Sequence, residues 1–182
     1  MKLLGVSGSL QGTSANSALL RVARDVAPDP VEIELFDGLA EIPAFNPDID
    51  PAPASVEALR SLVKSADGVF FATPEYAFGL PGSLKNALDW LVASEAFAGK
   101  PVALLNTAPR AFHAQAALRE TLATMAARLI PEAFVTLPLT GKTLDAQAIA
   151  AEPRHAQRLR ESLDALLAAA PSGPPPSTLR AL

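Results

Sequence analysis

The feature that most constrains the fold is a set of apolar runs with no polar break. Gly68-Val69-Phe70-Phe71-Ala72-Thr73 is continuous, and Leu3 to Val6 and Pro101 to Asn106 read the same way. A strand without a polar position has no face to offer water, so it must be covered on both sides. Segments with helical spacing separate these runs and supply the cover. The first begins near Ser14 or Asn16 and ends before Pro28, with Leu19, Leu20, Val22, Ala23 and Val26 on its apolar stripe. The others span Ala54 to Ala66 with Ser55 at the start, Pro81 to about Ser94, about Ala111 to Leu129, and Asp145 to Ala169. Pro81 suits a helix start, where a missing N–H costs nothing. Val31 to Phe36 alternates with Glu32 and Glu34, which marks an edge or half-exposed strand, and Ala133 to Leu139 is the last strand.

Five strands alternating with five helices specify an α/β domain, a parallel sheet with helices on both faces. With a loop of phosphate-binding type after the first strand, the expected strand order is 2-1-3-4-5, the doubly wound flavodoxin-like arrangement. One domain covers residues 1–170. Residues 171–182 include Ser172-Gly173-Pro174-Pro175-Pro176 and have the composition of a linker, without a core pattern. Asp37 to Pro53 is a long loop containing Pro43, Pro47, Pro51 and Pro53, expected to be functional or to lie at an interface. Sheets of this order bind ligands beyond the carboxyl ends of their strands. That places three loops on one rim: Gly8 to Asn16, Pro74 to Gly79, and Asn106 to His113.

The first of these loops, Gly8-Ser9-Leu10-Gln11-Gly12-Thr13-Ser14-Ala15-Asn16-Ser17, is rich in hydroxyls and carries no acid. It can surround a phosphate with side-chain hydroxyls and backbone N–H groups at a helix start, where the helix dipole favours an anion. Its two glycines allow close backbone approach. The same stretch also reads as an ordinary strand-to-helix turn with Ser14 or Asn16 as N-cap. The loop alone leaves both readings open.

Charge and residue usage remove several functional classes. A net charge of −4 with no basic stripe argues against nucleic acid as a main partner. The absence of cysteine excludes disulfides, thiol catalysis and Cys-ligated zinc, so redox chemistry would need a bound cofactor. Two histidines, His113 and His155, are too few for a His-rich metal site. No window reaches the length of a membrane span and no signal-peptide pattern is present, so a cytoplasmic protein without a membrane partner is expected. Gly5-Val6-Ser7-Gly8-Ser9 matches neither the dinucleotide fingerprint nor the Gly-Lys-Ser/Thr phosphate loop. It approaches a hydrolase nucleophile elbow, but Ser9 stands where the final glycine belongs; a hydrolase would need His113 or His155 as base.

The second loop and the helix after it are more specific: Thr73-Pro74-Glu75-Tyr76-Ala77-Phe78-Gly79-Leu80-Pro81-Gly82-Ser83-Leu84-Lys85-Asn86-Ala87-Leu88-Asp89-Trp90. Together with Gly8-Ser9-Leu10 and Ser14-Ala15-Asn16, this stretch resembles the NADPH-dependent FMN reductase family, flavodoxin-like reductases of quinones, azo dyes and chromate. The resemblance implies FMN as cofactor and NADPH or NADH as co-substrate. It places Ser9, Ser14 and Asn16 on the FMN phosphate, with backbone N–H groups from Leu10, Gln11, Ala15 and Ser17 helping. It places Pro74, Glu75, Tyr76 and Ala77 beside the isoalloxazine and ribityl, with Asn106, Thr107 and Arg110 from the third loop. Pro81, Gly82, Lys85, Asn86 and Asp89 look like supports of the second loop and its helix. Trp90 is expected to pack in the core. Lys85 and Asp89, four apart, are expected to pair on the helix surface. The resemblance also suggests a homodimer or homotetramer, with Phe78 and Leu80 exposed as contact residues.

Three departures from the family pattern stand out. Gln11 occupies the place of the usual Arg, so a cation on the phosphate side is lost. Ala77 and Gly79 replace the usual Asn and Ser. The third loop, Asn106-Thr107-Ala108-Pro109-Arg110-Ala111-Phe112-His113, lacks the family's glycine-rich run, and Pro109 has no N–H to offer the flavin. Arg110 and His113, at the start of the fourth helix, are candidates to offset that loss by facing the negative edge of a reduced flavin. The implied function is hydride transfer from NAD(P)H to bound FMN, then of two electrons to a quinone, azo compound, free flavin or similar acceptor. The alternative is an FMN- or phosphate-ligand-binding sensor or carrier without turnover.

Overall fold

A computed structural model describes residues 1–139 and 145–170. The first strand, β1 (Lys2–Ser7), feeds α1 (Ala15–Asp25), then β2 (Glu32–Phe36), α2 (Ala54–Ser65), β3 (Gly68–Ala72), α3 (Gly82–Leu91), β4 (Pro101–Asn106) and α4 (Phe112–Thr124). Two short strands, β5 (Arg128–Leu129) and β6 (Val135–Thr136), precede α5 (Ala146–Ala150) and α6 (Pro153–Ala169). All pairings are parallel, and the order is β2-β1-β3-β4-β5, the flavodoxin-like arrangement expected. β2 lies at the edge, as its alternating acids imply. Every residue of β3 and β4 is buried, as unbroken apolar runs require.

The period of two along each strand separates two cores. Phe71, Val69, Val102 and Leu104 face α2, α3 and α4, where they meet Val56, Leu59, Leu88 and Leu118. Phe70, Ala72, Ala103 and Leu105 face α1 and α6, where they meet Leu19, Val22, Leu159 and Leu163. Burial of a Leu, Val or Phe side chain stabilises by about 1.5–3 kcal/mol, so these two layers hold the sheet between the helices.

The structure corrects the sequence reading in three places. The fourth helix ends at Thr124, and Arg128–Leu129 is strand. The fifth strand is split: β5 pairs with the start of β4 (Val102 beside Leu129), and β6 pairs with its end (Leu105 beside Val135). A 3-10 turn at Pro131–Ala133 lies between the halves, and Pro131 has no N–H to extend the ladder. The last helix is likewise broken, because Pro153 cannot continue a helix from Ala150 and instead begins a new one. Of the two N-caps open for α1, the structure has Ser14, and Asn16 falls inside the helix. The expected tail, residues 171–182, lies outside the described residues.

The Pro-rich loop after β2 is tied down by α3. Asn86 Nδ2 donates to Pro43 O at 2.8 Å, and its Oδ1 accepts from Phe45 N at 2.7 Å. Trp90 is buried and donates from Nε1 to Pro43 O at 2.9 Å, with Phe45 edge-on to its ring at 5.1 Å. Asn86, expected to brace the second loop, therefore braces this one. Lys85 and Asp89 form the predicted i,i+4 pair, 2.6 Å apart.

Candidate functional site

The site lies where β1, β3 and β4 end. Loop one leaves β1 through Gly8, whose N–H donates to Ala72 O at 2.8 Å. A Cβ there would sit 2.3 Å from Thr73 Oγ1, so only glycine lets this loop lie against the end of β3. Gly12 has nothing within 4 Å of an added Cβ, so no contact in the fold demands it. Ser7 and Ser17 hydroxyls bond across the loop at 2.7 Å. Ser9 Oγ accepts from Gln11 N at 3.2 Å, which leaves its own proton free to donate elsewhere.

The start of α1 is open. Ser14 stands at the N-cap, yet its side chain makes no capping bond. The N–H groups of Ala15, Asn16 and Ser17 have no acceptor among the described residues. Helix-start N–H groups normally find a cap, water or ligand. Ser14 and Asn16 are nonetheless buried. Asn16 Oδ1 accepts from Thr107 Oγ1 at 3.3 Å, which ties loop one to loop three and leaves the Asn16 amide N–H groups to donate.

Loop two closes on itself. Tyr76 N donates to Gly79 O at 3.0 Å and Gly79 N to Tyr76 O at 2.9 Å. Ala77 (φ 47°) and Phe78 (φ 60°) between them are both left-handed, the geometry of a type I′ turn. Asn or Gly adopts that conformation readily; Ala and Phe do so at a cost. Phe78 is exposed and meets His113 edge-on at 5.1 Å, and Phe112 lies on the other side of that imidazole at 4.3 Å. Leu80, expected to be exposed, is instead partly buried against the core beside α3.

Glu75 crosses from loop two to loop three. Its Oε2 accepts from Ala114 N at 2.9 Å, in the first turn of α4. The carboxylate therefore takes one N–H at the start of α4 and ties loop two to that helix. Asn106 is spent locally: Oδ1 accepts from Ala108 N at 3.0 Å and Nδ2 donates to Ala108 O at 2.8 Å. Its amide shapes the turn.

Two cavities flank loop one. A shelf of about 310 Å³ is lined by Asn16, Thr73, Pro74, Glu75, Thr107 and Arg110, with Ala108 and Ala111 at its edge. All three rim loops meet there, as the strand order requires. The second cavity, about 470 Å³, lies on the β2 side and includes Ser9, Leu10, Gln11, Ser17, Arg21 and Asp37. Tyr76, Ala77, Ser14, Ala15 and Asn106 line neither. The sequence reading missed Thr73 on the shelf and Arg21 in the second cavity. Arg21 follows Ser17 by four residues, a helical repeat that reveals shared facing once α1 is placed. Among the described residues no cluster of His, Asp or Glu suits a metal ion, and no helix is long and apolar enough to cross a membrane.

An open helix start beside a hydroxyl-rich loop, next to a shelf at the switch point of a parallel sheet, defines a nucleotide- or flavin-binding α/β protein. The model of the family described as NADPH-dependent FMN reductase matches residues 1–142, and the chain belongs to that family. Among its relatives, an NAD(P)H-dependent FMN reductase of Pseudomonas aeruginosa is 35% identical over 173 residues, 91% of this chain and 93% of the relative. A quinone reductase of Escherichia coli K12 is 38% identical over 107 residues, 56% of this chain and 57% of the relative. In three dimensions the chain is similar to FerB, a flavoenzyme NAD(P)H:(acceptor) oxidoreductase from Paracoccus denitrificans. That match has a TM-score of 0.72 at 25% identity and covers 93% of this chain and 99% of FerB. The chain is accordingly a flavin oxidoreductase whose cofactor is FMN.

The described residues fit that group. The uncapped start of α1 and the free Ser9 proton suit a phosphate, and the shelf beside them offers about 310 Å³ where the three rim loops meet.

Proposed function

We propose that this chain is an NAD(P)H-dependent reductase of quinones or related two-electron acceptors, with FMN held across loop one and the shelf. The chemistry FMN supplies when bound is acceptance of a hydride from NAD(P)H and delivery of two electrons to a quinone, azo compound, free flavin or similar acceptor. The protein's part is position and electrostatics. Ser9 and the N–H groups of Ala15, Asn16 and Ser17 hold the phosphate. Pro74 and Thr107 line the shelf, and Glu75 ties loop two to the start of α4 through Ala114 N. Arg110 brings a positive charge to the rim, where negative charge gathers during reduction. The observation that carries this reading is the uncapped start of α1: a Ser at the N-cap that leaves three N–H groups open is suited to an anion from outside the chain.

The test has two stages. Cofactor released by heat from the purified protein should run as FMN, and added FMN should be quenched saturably. The loaded protein should then oxidise NADPH or NADH with a quinone as acceptor. Saturable FMN binding without turnover on any acceptor would instead mark a flavin carrier. We further propose a homodimer or homotetramer that covers Phe78 and Phe112, both exposed beside the site; the molar mass by light scattering should be that of a dimer or tetramer for the parent and lower for Phe78→Ser, and a monomeric parent would overturn it.

A further inference from the structure

The phosphate loop, residues 8–17, contains no cation, and the second cavity shows where one stands beside it. That cavity, on the β2 side of loop one, is walled by the loop's own Ser9, Gln11 and Ser17 and by two guanidinium side chains from α1, Arg21 and Arg24. Arg24 is matched by Asp25, at 3.1 Å. Arg21 forms no ion pair among the described residues. It sits one turn beyond Ser17, and helical side chains lean toward the N-terminus of their helix. Arg21 therefore shares a cavity with Ser9, Gln11 and Ser17, next to the helix start whose N–H groups are open. Asp37, across the cavity, is the acid that faces it, and the two do not pair within 4 Å.

We propose that Arg21 supplies the phosphate-side positive charge for FMN in this chain, in place of an arginine in the loop. The inference rests on the FMN assignment and adds a residue to it. A guanidinium reaching over loop one from α1 presents two N–H groups side by side, a geometry that matches two phosphate oxygens. It also explains how a loop with Gln11 and no other cation can hold a dianion: the loop contributes neutral donors and the helix contributes the charge.

The experiment is a pair of fluorescence titrations, FMN and riboflavin, on the apoprotein of the parent and of Arg21→Gln, Arg21→Lys and Arg24→Gln. A charge-assisted hydrogen bond lost to phosphate corresponds to about tenfold or more in affinity. Arg21→Gln should weaken FMN by that factor and leave riboflavin within about twofold. Arg21→Lys should recover part of the loss as a point charge, and Arg24→Gln should change little because Asp25 already matches that charge. The loss in Arg21→Gln should shrink as salt rises. Equal loss of both ligands would mean that the substitution damages α1, and unchanged FMN affinity would mean that Arg21 does not reach the phosphate; either result overturns the proposal. A parent that binds neither FMN nor riboflavin would instead overturn the flavin assignment itself.

Discussion

Two helices begin on the same rim and are treated in opposite ways. At the start of α1 the N-cap hydroxyl of Ser14 makes no bond, and three N–H groups stay open. At the start of α4 a carboxylate from another loop, Glu75, takes the N–H of Ala114. Both ends carry the same partial positive charge. The first is left open, while the second receives an acid from within the chain that clamps loop two to α4. Arg110 brings positive charge to the shelf beside a helix start that already holds one acid, Glu75.

The largest effect should come from emptying the open end. Ser9→Ala removes a hydroxyl donor to phosphate, worth about 1.5–3 kcal/mol, so FMN should bind roughly tenfold to a hundredfold more weakly. Riboflavin should bind the parent weakly and lose little more. Parallel titration of the two flavins checks this, and equal losses would remove Ser9 from the phosphate site. Asn16→Ala is a poorer probe, since Asn16 also accepts from Thr107 and its loss uncouples loops one and three.

Opening the closed end comes next. Glu75→Ala should cost about 1 kcal/mol of stability, a Tm drop of roughly 2–4 °C for a domain of this size. An unchanged melting curve would mean that the carboxylate does not cap α4 in solution, and the contrast between the two helix starts would collapse.

The turn that follows Glu75 gives an effect of opposite sign. Phe78→Gly relieves a left-handed residue and should stabilise the protein by about 1 kcal/mol, less what is lost from the contact with His113. Chemical denaturation with an unchanged m-value measures it. A destabilised variant would show that the aromatic contact outweighs the backbone strain.

The smallest effect sharpens the comparison most. Ser14→Ala would ordinarily remove a helix cap at about 1 kcal/mol. Because the Ser14 side chain makes no cap bond, the ligand-free protein should change by less than about 0.5 kcal/mol. A full capping loss in the apoprotein would indicate that Ser14 closes α1 when no phosphate is there.

Much of this was legible in advance because it depends on short-range pattern. Buried β3 and β4 follow from runs with no polar break, and the edge position of β2 follows from Glu32 and Glu34. The Lys85–Asp89 pair follows from a spacing of four. Errors fell where two signals compete within a few residues. The stretch from Ala111 to Leu129 reads as one helix until Met125 and Ala127, because helical spacing does not register the pairing of Arg128 with Pro101. Pro153 is a breaker inside an otherwise even Ala-rich pattern, and its effect is local and certain only once α5 and α6 are seen to take separate paths.

The sequence by itself determined the order of elements, the parallel sheet and the three loops on its rim, since periodicity and right-handed crossovers allow few other arrangements. Only the tertiary structure decided what each rim residue does. Glu75 meets Ala114, Asn16 meets Thr107, Asn86 meets Pro43 and Gly8 must clear Thr73. These partners stand tens of residues apart, and a hydrogen bond or a clash depends on ångström distances that no local pattern encodes. The same holds for Arg21, an ordinary surface arginine in the sequence that the fold places in one cavity with Ser9, Gln11 and Ser17.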